Sequence, residues 1–152
     1  WRAQRQQDAD RSAVSAVLLP DPLRWPDDSA GPLQVVDSSI VQVELSGHVD
    51  LVNAGPAPVR FAGFRADRAG LRLWGTVVGA GPVAPGGFTE GAVHATMVCA
   101  DRPPSGPVPA TVEVESADGV LRRPTVTVEW RAWADQLTAV CDRPAPGVWS
   151  RR

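Results

Sequence analysis

Ile40-Val41-Gln42-Val43-Glu44-Leu45-Ser46-Gly47-His48-Val49-Asp50-Leu51 is the stretch on which the fold turns. Val41, Val43, Leu45, Gly47, Val49 and Leu51 alternate strictly with Gln42, Glu44, Ser46, His48 and Asp50. Successive side chains of a strand point to opposite faces, so this period of two marks a long strand with one buried and one wet face. Downstream, Asn53-Ala54-Gly55-Pro56 carries turn chemistry. Val59, Phe61 and Gly63 then alternate with Arg60 and Ala62, and a further strand runs from Leu71 to Val78 behind the turn at Ala69-Gly70.

Gly79 to Gly87 reads as a loop by composition. In Phe88 to Cys99, Val93, Ala95, Met97 and Cys99 share one face, and His94, Thr96 and Val98 the other. Pro103 to Pro109 is a second Pro-rich loop. Val112 and Val114 against Glu113 and Glu115 form another half-buried strand, closed by the hairpin signal Asp118-Gly119. Val126, Val128 and Trp130 mark the returning strand, and Leu137, Ala139 and Cys141 a last one on the same inward parity. Seven or eight strands with no internal helix predict an all-β, antiparallel sandwich. Arg2 to Leu18 is expected to form a helical or extended arm that Pro20 and Pro22 end, followed by a linker through Trp25. The expected organisation is an arm and linker over 1–32, a sandwich over 33–145 and a tail over 146–152.

The 152 residues include 15 basic and 17 acidic side chains, a net charge of −2, which lacks the basic excess of a nucleic-acid binder. No run of about 18 apolar residues is present that would cross a membrane as a helix. The chain starts Trp1-Arg2-Ala3-Gln4-Arg5, residues that suit the water-facing end of a transmembrane helix, where Trp and Arg sit at headgroup level. That expectation places the domain outside the cytoplasm on an upstream anchor, with a removed signal peptide as the alternative.

Cys99 and Cys141 are the two cysteines. An even count in an extracytoplasmic chain favours a disulfide. A local echo supports the pairing, since Val98-Cys99-Ala100-Asp101-Arg102-Pro103 recurs as Val140-Cys141-Asp142-Arg143-Pro144. Two reduced core thiols are the competing state. A metal pair is weaker, because no further ligands stand at usable spacing.

Leu51-Val52-Asn53-Ala54-Gly55-Pro56, then Val83-Ala84-Pro85-Gly86-Gly87-Phe88, then Met97-Val98-Cys99, resembles immunoglobulin-like extracytoplasmic domains of actinobacterial membrane proteins. All 15 basic residues are Arg and Lys is absent, which resembles coding from a GC-rich genome. The resemblance spans Val41 to Cys141 and implies a fold and a location, with no catalytic residues to carry over. In such domains a central Trp packs on the inter-sheet cysteine pair, a part open here to Trp130 or Trp133.

Constellations that carry chemistry are sparse. Ser46, His48 and Asp50 line one strand face about 6.5–7 Å apart and project in parallel, unlike the convergent groups of a hydrolase. His94, Met97 and Cys99 are near in sequence, but His94 faces away from the other two, against a copper site. No metal, cofactor or catalytic residue is assigned, and the expected function is non-enzymatic. Trp74 shares its face with Arg72 and Thr76, opposite Leu71 and Leu73, and an exposed Trp beside Arg anchors a protein partner or stacks on a sugar ring. Packing of Trp74 beneath a Pro-rich loop or the Trp25 arm is the bland alternative. The expected partner of Trp74 and Arg72 is a protein of the cell envelope, with a cell-wall glycan second and an enzyme hidden from sequence third.

Overall fold

A computed structural model of the chain describes residues 1–21, 29–79, 81–104 and 106–145. Helix α1 (Arg2–Ser12) leads into β1 (Ala16–Pro20), β2 (Ser29–Val36), β3 (Ser39–Asn53), β4 (Arg60–Arg68), β5 (Leu71–Val77) and β6 (Phe88–Val98). β7 (Val108–Glu115), β8 (Leu121–Arg122), β9 (Thr125–Val128) and helix α2 (Arg131–Cys141) follow. Every strand pairing is antiparallel.

The 15-residue β3 organises the molecule. One edge is taken by β6 from Gln42 to Val52. The other edge is shared in tandem, with β2 against Ser39 to Ser46 and β1 against Val49 to Asn53. The seven strands of the path β1-β3-β6-β5-β4-β7-β8, with β2 beside β3 and β9 beside β7, form one continuous sheet of nine described strands. Each long strand has a greasy face, and the sheet brings those faces together by curling until β1 lies against β9. Where two layers of seven or eight strands were expected, the described strands bond along this single curled sheet. Its inner face holds one core, including Val43, Leu45, Leu51, Leu73, Val93, Met97, Val112 and Val128.

Three segments depart from the sequence expectation. Ala16 to Pro20 is a strand rather than the end of the arm's helix, because Leu18 is buried opposite Leu51 while every residue of α1 stays out of the core. The sheet therefore includes residues 16–20 and 29–32, assigned above to the arm and linker. Residues 131–141 are helical instead of a last strand. Trp130, Trp133, Ala134, Leu137 and Val140 are buried at steps of three, one, three and three, the spacing of one helix face, and α2 lays that face against β2 and β3. Trp130 and Trp133 are thus core residues of the helix and its N-terminus, and the Trp130 indole N–H donates to the Pro104 carbonyl at 3.3 Å.

The disulfide Cys99–Cys141, with Cα atoms 5.7 Å apart, ties the end of β6 to the end of α2. The two echoed segments meet there, since Arg102 of the first forms an ion pair with Asp142 of the second at 2.8 Å. Trp25, Trp149 and the tail over 146–152 lie outside the described residues, as do most of the Pro-rich linker positions, 22–28.

Candidate functional site

The outer face of the sheet, opposite the core, carries the side chains available to a partner. Its central row follows from the register: Ser46 on β3 faces His94 on β6, His94 faces Trp74 on β5, Trp74 faces Arg65 on β4, and Arg65 faces Thr111 on β7. Trp74 is 37% exposed, whereas Leu71 and Leu73 beside it are buried. Its ring stacks on His94 with centroids 5.8 Å apart and planes at 28°. Ser46 Oγ and His94 Nδ1 lie 3.3 Å apart, which holds the imidazole from its far side.

On the opposite side of Trp74 the surface is concave. A hollow of about 290 Å3 is lined by Gly63, Arg65, Trp74, Thr111, Glu113 and Arg123, among others. Small residues make its floor. A bulge in β4 between Phe61 and Gly63 inserts Ala62 as an extra residue, so Phe61 and Phe64 both turn into the core and Gly63 and Arg65 turn outward. Strict alternation from Val59 had placed Gly63 on the inner face with Phe61. Gly75 lines the hollow too, and it must be glycine because a Cβ there, on the inner side of the sheet, would run into the Phe64 ring.

Arg123 pairs with Glu113 at 3.1 Å across the hollow's rim. Arg72 sits one row along the strands from Trp74, paired with Asp67 at 3.4 Å on a well-exposed surface. It lines a second, more open depression of about 520 Å3 with Asp67, Arg68, Thr96 and Gln42. Arg65 has no carboxylate partner among the described residues. The structure thus puts Trp74 and Arg72 on one face, and adds Arg65, Arg123 and Glu113, which the sequence did not single out.

The other constellations do not converge. His94 is outward on Trp74, Met97 is buried and Cys99 is bonded to Cys141. Among the described residues, no group of three or more His, Cys, Asp or Glu side chains is placed to hold a metal ion. Ser46 turns to His94 of the neighbouring strand. No family model matches the chain, and no curated protein matches it.

Proposed function

We propose that this chain is a non-catalytic interaction module that binds another protein of the cell envelope through the outer face of its sheet, with Trp74 as the anchor. The observation that carries the proposal is a half-exposed indole beside a hollow rimmed by arginines. Trp and Arg are enriched among residues that dominate binding energy, because each offers a large apolar surface with a polar edge. The frame is suited to this role, since the curled sheet and the disulfide hold the outer rows in place.

Location follows the same line. A structural disulfide belongs in an oxidising compartment, and no described helix is long and apolar enough to cross a membrane. The polar helix α1 buries no residue, which suits a spacer between an upstream anchor and the sheet. Fractionation of native cells should find the protein with the membrane and accessible to protease from outside.

Trp74→Ala in the full-length protein should abolish co-purification of the partner. It should also lower stability, by the lost stack on His94, about 0.5–1.5 kcal/mol, and by the buried area of an indole that is only 37% exposed. Binding is therefore compared at a temperature where a melt shows the variant folded. Retained partner binding would refute the assignment. A cell-wall glycan is the second candidate, favoured by the free face of the indole, on which a sugar ring can lie. A pull-down of the purified chain on cell-wall polymer separates the two.

A further inference from the structure

We propose that the two hollows of the outer face together receive an extended acidic segment of the protein partner, with carboxylates at alternate positions. This rests on the protein-binding function proposed above and specifies its chemistry. The two linings together carry Arg65, Arg123, Arg68 and Arg72 against Glu113 and Asp67, four positive charges against two negative, in a chain whose net charge is −2. Two of the arginines are already matched, Arg123 by Glu113 and Arg72 by Asp67. Arg65 and Arg68 have no carboxylate partner among the described residues. At Arg65 and Arg68 an arriving carboxylate therefore completes an ion pair instead of competing for one, whereas at Arg72 it shares the guanidinium with Asp67 or displaces it. The Arg72–Asp67 pair is widely exposed, and such pairs contribute little, so Arg72 is free to turn to a stronger partner.

Spacing sets the form of the ligand. Arg65 lies opposite Trp74, and Asp67 opposite Arg72, so the two arginines stand on neighbouring outward rows. Such rows repeat about every 6.5–7 Å along a strand, and the diagonal between them from Arg65 on β4 to Arg72 on β5 spans about 7–8 Å. An extended peptide laid along β4 and β5 projects residues i and i+2 to the same side with the same repeat. One carboxylate then reaches Arg65 and the next reaches Arg72, while the indole of Trp74 covers the methylene stem between them. A neutral glycan fits less well, because it would leave the excess of arginines in the two linings without an opposite charge.

The test titrates the purified chain with short blocked peptides carrying Glu-Ser-Glu, Gln-Ser-Gln or Glu-Ser-Ser-Glu between Gly-Ser flanks, and with a polyglucuronate oligosaccharide. Binding is followed through the Trp74 indole N–H and Arg65 Nε–H resonances. The Glu-Ser-Glu peptide should bind, and the Gln peptide should bind about tenfold more weakly or not at all. The Glu-Ser-Ser-Glu peptide should be weaker too, since its second carboxylate leaves the sheet-facing side. Arg65→Gln with Arg72→Gln should remove the preference, while Arg131→Gln on α2 should leave it unchanged. Salt raised from about 50 to about 500 mM should erode it, since exposed charges are screened. Equal binding of Glu and Gln peptides, binding of none, or binding of the polyglucuronate in their place would each overturn the proposal. If the acidic peptides fail while Trp74→Ala still releases the native partner, the acidic ligand falls and the protein-binding function stands. If Trp74→Ala also leaves the partner bound, both fall.

Discussion

Replacing Asn53 by Ala should be among the most damaging single changes outside the apolar core. Asn53 is the sole asparagine and is fully buried at the end of β3. Its amide N–H groups donate to the carbonyls of Ala57 and Val83, each at 2.9 Å, and its Oδ1 accepts from the Gly55 N–H at 2.9 Å. Its backbone adds bonds to Gly87 and from Gly86, so one residue fastens the 54–58 turn and the 82–87 loop to the sheet. In the alanine variant the Val83 carbonyl keeps a bond from the Val59 N–H, but the Ala57 carbonyl and the Gly55 N–H lose their side-chain partner. Each unsatisfied buried group costs about 1–3 kcal/mol, and the third bond about 1 kcal/mol. Some water will reach the turn, so a total near 3 kcal/mol is expected, which for a domain of this size lowers Tm by about 6–12 °C. Thermal melts and urea titrations measure it. Asn53→Asp provides a signed control. Its carboxylate would face two carbonyl oxygens, which raises the folded-state pKa, so the variant should be less destabilised near pH 4 than at pH 7. A loss below about 1 kcal/mol for Asn53→Ala would refute the view that this side chain holds the loops.

Other changes bear on separate parts of the frame. Reducing Cys99–Cys141, or replacing both with Ala, releases a loop spanning 42 residues of sequence separation and should cost about 4 kcal/mol by the chain-entropy argument, seen as a large Tm drop under reductant; an unchanged Tm would mean that α2 is held by packing alone. Gly75→Ala should lower stability, because the new Cβ meets the Phe64 ring, and a combined Phe64→Leu change should recover part of the loss in the same melt. In the 116–122 hairpin, the hydrogen bond from Ser116, followed by those from Arg122 and the Val120 N–H, holds the Asp118 carboxyl below its ordinary value of 3.8, against the opposing cost of desolvation. A carboxyl depressed in the folded state stabilises above its unfolded value, so its contribution should be intact at neutral pH and lost as the pH falls below about 4. Asp118→Asn should flatten that part of the stability–pH curve, and an unaltered curve would count against it.

How much was legible in the chain differs from element to element. β3, β5 and β6 were readable because a half-buried strand writes its two faces directly into alternate residues, and those faces match the burial observed. The disulfide was readable because both cysteines and their flanking Asp-Arg-Pro segments recur. α2 was misread because Leu137, Ala139 and Cys141 happen to sit two apart, while the spacing that governs it, Trp130-Trp133-Leu137-Val140, was also present. The hollow could not be read at all. Its defining device is the bulge at Ala62, which reverses the parity of β4 and turns Arg65 from the core side to the surface.

By itself, the sequence determined the strands β3, β5, β6 and β7, which of their faces are greasy and which two sulfurs can join. Those are local properties, set by the geometry of the extended chain and by side-chain chemistry. Only the tertiary structure decided that the greasy faces meet by one sheet curling on itself, because alternation is the same whether strands close as two layers or one. It also decided that Ser46, His94, Trp74, Arg65 and Thr111 form a row, since cross-strand neighbours are chosen by register and not by distance along the chain.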